Sequence, residues 1–143
     1  SISYFTIMRE KKMPVLVMFI DLDRLKYIND TFGHEYGDFA IISIAKAMLK
    51  HCDADAIAAR TGGDEFIVLE GAKDEESGRV LAQKIRTELS KTQRAMQLPF
   101  DLSASIGVVV AHPGEENVLE SYVKQAEMLM YEEKAEKKVS RDS

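Results

Sequence analysis

Four acidic side chains in two short clusters are the residues of this chain best placed for chemistry. Asp21 and Asp23 flank Leu22 directly after the apolar run Val15 to Ile20, and Asp64 and Glu65 follow the dipeptide Gly62-Gly63. Carboxylates are hard oxygen ligands, and a pair delivered from two stiff elements to one place is a recurrent way of holding a divalent cation for phosphoryl transfer. Read alone, Gly62 to Glu65 is equally well a polar hairpin tip. Which reading holds depends on whether the elements carrying the two clusters bring them together.

The run Val15 to Ile20 is continuously apolar rather than alternating, which predicts a strand covered on both faces that delivers acids at its C-terminal end. A short helix follows, with Leu25, Ile28 and Phe32 on its buried edge and Lys26 and Asn29 as i, i+3 neighbours on the other. Gly33 and Gly37 bracket a turn, and a second helix is expected from about 38 to 51, with a stripe of Ile41, Ile42, Ala45, Met48, Leu49 and Cys52. Asp38 stands where an N-cap would be found. Gly62-Gly63, between the runs 56–59 and 66–69, predicts a hairpin with a type I′ turn, which needs φ > 0 at both central residues. After a polar connector, a helix over about 75–91 carries Leu81, Ile85 and Leu89. A β-rich stretch spans 102–111, and His112-Pro113-Gly114 turns the chain. A last helix over about 117–137 has Leu119, Tyr122, Val123, Ala126, Leu129 and Met130 on its core face, and 139–143 is expected to fray. A weaker pattern suggests a helix over 2–11.

The 143 residues fit one domain, 1–143, and 45% hydrophobic with 30% charged residues is an ordinary globular composition. The longest apolar run is far too short to span a bilayer, and Arg9, Glu10, Lys11 and Lys12 break any signal-peptide pattern. Cys52 has no second cysteine to pair with, which is compatible with a reducing compartment. The net charge of −5 leaves no basic footprint for nucleic acid, so bound phosphates need a few local cations and a metal.

The element order β-α-α-β-β-α-β-α is a ferredoxin-like, palm-type α+β core with an inserted and a terminal helix. In that core the first and third strands are adjacent and antiparallel, so the end of the first strand at Asp21 lies beside the start of the third at Asp64. Like charges brought together in a partly buried place are costly without a cation. The topology therefore favours a metal site over a hairpin tip, and strand alternation, which sends neighbours to opposite faces, favours Asp64 over Glu65 as its second ligand.

With these stretches placed, the chain resembles the GGDEF domain of diguanylate cyclases. The resemblance rests on Phe19-Ile20-Asp21-Leu22-Asp23-Arg24-Leu25-Lys26-Tyr27-Ile28-Asn29-Asp30, Gly33-His34-Glu35-Tyr36-Gly37-Asp38, Arg60-Thr61-Gly62-Gly63-Asp64-Glu65-Phe66 and Ser103-Ala104-Ser105-Ile106-Gly107-Val108, in the family's order and spacing. It implies a nucleotidyl-cyclase-like fold and condensation of two GTP molecules to cyclic di-GMP and two pyrophosphates, with Mg²⁺ or Mn²⁺. Carried over residue by residue, it implies metal ligation by Asp21, the Leu22 carbonyl, Asp64 and Glu65, with Asp64 as base for the attacking 3′-hydroxyl. Lys26, the backbone at Arg24 and Leu25, and the Gly62 and Gly63 backbone match triphosphate positions, as do Lys134 and Lys138. Asn29, His34 and Asp38 match the substrate pocket. A carboxylate at 38 suits the N1–H and 2-amino donors of guanine, which adenine lacks, while an N-cap role for Asp38 and a turn-stabilising role for His34 stay open.

Where the family usually shows Ala-Lys-x-x-Gly-Arg, this chain has Glu133-Lys134-Ala135-Glu136-Lys137-Lys138, which keeps charge at 138 but loses the guanidinium fork. Asp53 and Ala56 replace the Arg and Asp of the product-inhibition motif, and the family's usual N-terminal segment is missing, as expected of a truncated chain. The resemblance further implies a transient homodimer of GGDEF domains, an upstream sensory domain and a cytoplasmic place, including the cytoplasmic part of a membrane-anchored sensor, with no direct membrane contact by this domain. Two other readings remain: a catalytically silent GTP-binding module, and a palm-type nucleotidyl transferase acting on nucleic acid, which the acidic balance disfavours.

Overall fold

A computed structural model of the chain describes residues 13–112 and 119–142. The helix expected over 2–11 lies outside them, as does most of the expected turn at 112–114. The elements are β1 (Val15–Leu22), α1 (Leu25–Phe32), α2 (His34–His51), β2 (Ile57–Arg60), β3 (Glu65–Gly71), α3 (Glu76–Ala95), β4 (Ala104–Ala111) and α4 (Leu119–Asp142). The sheet order is β2-β3-β1-β4 with every pairing antiparallel, so the predicted α+β order and the pairing of the first and third strands both hold.

β1 is buried along its whole length because helices cover both faces of the sheet there. Its even-numbered side chains, Leu16, Met18, Ile20 and Leu22, pack with residues of α2 and α3. The odd-numbered Val15, Val17 and Phe19 pack with Leu119, Tyr122, Ala126 and Met130 of α4. This is the two-residue period of a strand, with each face filled by a different helix layer. Asp21 continues the odd-numbered series, which aims it at the α4 side.

Four expectations need correction. The first concerns the register of α2: its buried residues are Gly37, Ala40, Ser43, Ile44, Ala47 and Met48. Ile42 is 51% and Leu49 80% exposed. Small residues face inward because they admit the closest helix approach, leaving Ile41, Ala45 and Cys52 at the edge of the core. The second concerns the turn between the first two helices. Only Gly33 makes it, at φ +98°, where an L side chain would be strained. Gly37 lies inside α2, so α2 starts at His34 and Asp38 is in its second turn rather than at the N-cap.

The third concerns the tip of the β2–β3 hairpin. Among the described residues Gly33 is the sole glycine with positive φ, so Gly62 and Gly63 do not form a type I′ turn. Thr61 N–H donates to the Glu65 carbonyl at 2.9 Å, and the Arg60 guanidinium donates to the Gly62 and Gly63 carbonyls. The tip is thus a wider loop, tied down by an arginine. The fourth concerns α4, which runs to Asp142, past the expected end near 137 and through the segment expected to fray; its buried stripe is Leu119, Tyr122, Ala126 and Met130, while Leu129 is exposed.

Gly107 lets α4 lie against β4. A Cβ there would stand 1.9 Å from the Ala126 carbonyl oxygen and 2.6 Å from the Met130 amide nitrogen, both backbone atoms that cannot move without displacing the helix. Gly107→Ala is therefore expected to destabilise the domain by about 3 kcal/mol or more in chemical denaturation. A change within about 0.5 kcal/mol would show that α4 packs differently.

Candidate functional site

The site forms where β1 ends. Asp21 pairs with Glu65 across β1 and β3, and Leu22 N–H donates to the Asp64 carbonyl at 3.0 Å. Carboxylate oxygens of Asp21, Asp64 and Glu65 all lie within 4.8 Å of one another. Strand alternation does not separate the two acids here, because Asp64 lies outside β3. Glu65 opens β3 on the same face as Asp21, and Asp64 precedes the strand, in the loop, where no pleat dictates its direction. All three acids therefore converge.

The electrostatics of this cluster are those of a site waiting for positive charge. Asp21 is buried, and its Oδ1 has no hydrogen-bond partner among the described residues. Desolvation, opposed by Lys134 and reinforced by Asp64, pushes its carboxyl up to about 7. An orphaned carboxylate oxygen among three converging carboxylates is a hard-oxygen donor set that fits Mg²⁺ or Mn²⁺.

Asp23, two residues on, has the opposite environment. Its carboxylate accepts from Ser105 Oγ at 2.6 Å, Ser103 Oγ at 2.7 Å and Lys137 Nζ at 2.6 Å, and Lys134 Nζ lies 3.4 Å away. Burial alone would raise its pKa, but the bonds from Lys137, Ser105 and Ser103 outweigh it and hold the group below the ordinary carboxylate value. Asp23 is thus a structural anion tying β1, β4 and α4 together. The sequence marked it only as a second acid at the end of the first strand and not as a structural joint; the paired Ser103-x-Ser105 pattern and the extra Lys137 were the available signals. Tyr131 was also missed as a neighbour of the site: its hydroxyl lies 3.4 Å from Glu65 Oε1, too long for a strong bond.

The other predicted residues fall into three groups. Lys134 reaches the cluster: Nζ donates to the Leu22 carbonyl at 3.1 Å and lies 3.4 Å from Asp21 Oδ2. Arg24 and Leu25 form the start of α1; Arg24 is left-handed at φ 59°, stacks 3.9 Å over the Tyr27 ring and leaves the first N–H groups of the helix without a side-chain cap. Asn29 sits between α1 and α2 against Gly37, where an added Cβ would stand 1.8 Å from its Oδ1; Asp38, the next residue after Gly37, is exposed, as is His34 at the start of α2. Lys26 is not drawn to the cluster, since its ammonium pairs with Asp30 at 2.7 Å and its side chain is 90% exposed. Lys138 is exposed, one turn beyond Lys134. At Gly63 a Cβ would meet open space, so the backbone there is approachable; at Gly62 it would meet Glu65 Oε2 at 3.3 Å.

Because the Asp21 carboxyl has a higher pKa in the folded protein than its ordinary 3.8, its stabilising contribution is complete below that value and is lost as pH rises through about 7. Asp21→Asn stays neutral throughout. In metal-free buffer its melting temperature should therefore gain on the parent more at about pH 8 than at about pH 5. A difference that is the same at both values would show that the Asp21 carboxyl is not shifted upward.

Comparison with known proteins places the chain. The family model described as "Diguanylate cyclase, GGDEF domain" matches residues 4–140. The bifunctional diguanylate cyclase/cyclic di-GMP phosphodiesterase MucR of Pseudomonas aeruginosa is 33% identical over 118 residues, 82% of this chain and 17% of its own length. The probable diguanylate cyclase DgcT of Escherichia coli is 35% identical over 127 residues, 87% of this chain and 28% of its own length. This chain thus spans well under half of either relative. The crystal structure of the GGDEF domain of DgcB from Caulobacter crescentus, in complex with c-di-GMP, superposes with a TM-score of 0.79 at 26% identity, covering 94% of this chain and 80% of that one. Among the described residues no helix is long and apolar enough to cross a membrane. The converging acids at the end of β1, the palm-type sheet that carries them and the family match over nearly the whole length agree, and the chain belongs to the GGDEF, or diguanylate cyclase, domain family.

Proposed function

We propose that this domain is a diguanylate cyclase that condenses two GTP molecules into cyclic di-GMP and two pyrophosphates. The observation that carries the reading is the convergence of Asp21, Asp64 and Glu65 around an orphaned carboxylate oxygen beside the uncapped start of α1. Asp21, the Leu22 carbonyl, Asp64 and Glu65 would hold a divalent cation, Mg²⁺ or Mn²⁺. When bound, such a cation supplies charge neutralisation at the α-phosphate and acidifies the attacking hydroxyl.

The chain's own residues supply the rest. The free N–H groups at the start of α1 and the open backbone at Gly63 receive phosphate oxygens. Asn29 and Asp38 read the guanine edge where α1 meets α2, with His34 at the start of α2 as a further contact. Lys26 reaches the triphosphate once it leaves Asp30, and Lys134 and Lys138 supply positive charge from α4. Asp64 takes the proton of the 3′-hydroxyl as that oxygen bonds to the α-phosphorus of a second GTP. The bond from that phosphorus to the bridging oxygen breaks, pyrophosphate departs, and a second such exchange closes the ring. Each domain presents one GTP, so two GGDEF domains must face each other as a transient homodimer, which in a longer protein an upstream sensory domain would control from the cytoplasmic side.

A silent GTP-binding module is the second reading. It is favoured by Lys138, an exposed lysine at the position of the family's arginine. Incubation with GTP and Mg²⁺ followed by mass analysis separates the two readings: cyclic di-GMP is expected, and GTP bound but unchanged would select the silent module. Asp64→Asn is expected to lower turnover by about a hundredfold or more while the protein stays folded. Product formation should rise faster than linearly with protein concentration; a linear dependence from a stable monomer would remove the dimer from the mechanism.

A further inference from the structure

Lys134 places its ammonium where a cation held by the strand ends would sit. Its acceptors are the Leu22 carbonyl at 3.1 Å, Asp21 Oδ2 at 3.4 Å and Asp23 Oδ1 at 3.4 Å. The first two groups are also ligands assigned above to the divalent cation, so the same oxygens serve two positive charges. The lysine arrives there by helix periodicity: Tyr122, Ala126 and Met130 form the inward stripe of α4, and Lys134 is its next member.

The backbone beneath it is pinned. Glu133 takes both Arg86 guanidinium nitrogens, Nη2 at 2.9 Å, and accepts from Ile106 N–H at 3.3 Å. Lys137 pairs with Glu133 at 3.2 Å and with Asp23 at 2.6 Å, and donates to the Ala104 carbonyl at 2.8 Å. Helix α4 is therefore clamped to β4 on either side of Lys134, so any change of the ammonium's position falls to the lysine side chain itself, which is 31% exposed.

We propose that Lys134 is the resident counter-ion of the metal site. It neutralises Asp21 at the Leu22 carbonyl when no divalent cation is bound, and it swings outward to meet nucleotide phosphate when one binds. The inference rests on the metal reading of the preceding section and adds a competition to it. An ammonium and a dication drawn to the same carbonyl oxygen and carboxylate repel each other, so whatever factor the lysine costs the metal, the metal costs the lysine. Phosphate removes the penalty by accepting the displaced ammonium. In consequence metal and nucleotide bind as a pair, and metal alone binds weakly.

The test is Mn²⁺ titration followed by the paramagnetic resonance of free Mn²⁺, on the folded parent chain, Lys134→Met and Lys134→Arg. Without nucleotide, Lys134→Met is expected to bind Mn²⁺ roughly tenfold tighter than the parent, while Lys134→Arg, which keeps the charge, stays as weak as the parent. Adding a non-hydrolysable GTP analogue should tighten Mn²⁺ in the parent several-fold more than in Lys134→Met. Equal or weaker Mn²⁺ binding by nucleotide-free Lys134→Met overturns the proposal and leaves the metal site standing. Failure of every protein to bind Mn²⁺, with or without analogue, overturns the metal site and the proposal together. Should Lys134→Met melt before titration, Lys134→Gln, a neutral donor to the Leu22 carbonyl, takes its place with the same expectation.

Discussion

Two buried carboxylates at the end of a strand covered on both faces are the constraint around which this domain is arranged. Asp21 and Asp23 are 4% and 5% exposed, and an uncompensated charge in such a place costs several kcal/mol. The fold treats the two acids differently. Asp23 is satisfied by two serine hydroxyls and Lys137, and becomes a fixed joint between β1, β4 and α4. Asp21 keeps one oxygen unpartnered and faces two further acids. One carboxylate serves structure, while its neighbour meets Lys134 on one oxygen and among the described residues keeps the other free of a hydrogen-bond partner.

Helix α4 is one place where this chain departs from the family's usual pattern. Glu133 and Lys137 stand where alanine and glycine are usual, and both are used: Glu133 joins Arg86 of α3 to the backbone of β4, and Lys137 joins Asp23 to the carbonyl of Ala104. Arg86 and Glu133 move in opposite pKa directions for one reason, since each charge is held by the other: the arginine is raised, and the glutamate, despite its burial, is lowered. The charges that replace small residues thus form a clamp whose effect is to set the position of Lys134, which lies between them in the chain.

The first two helices meet on different terms. Gly33 supplies a left-handed link that other residues adopt only under strain, and Gly37 supplies the missing Cβ that lets α1 and α2 close around Asn29. This leaves Asp38 in the second turn of α2, exposed and free of any capping duty.

The sequence by itself determined the order of elements, the burial of β1 and the two acidic clusters. These are local properties: an unbroken apolar run of strand length, helical spacing of Leu81, Ile85 and Leu89, and acids directly following an apolar run or a glycine pair. Only the tertiary structure decided the rest. Strand register put Glu65 opposite Asp21, so three acids meet where alternation along one strand predicted two. Close helix packing selected the small-residue face of α2 over its larger apolar stripe, and the Arg60 tether made a wider loop of the Gly62-Gly63 tip. The partners of Asp23 and Lys134 lie about eighty to more than a hundred residues away in the chain, and no periodicity reports on such distances. Local pattern dictates which elements form, whereas the face that turns inward and what waits on it are fixed by the packing of elements far apart in sequence.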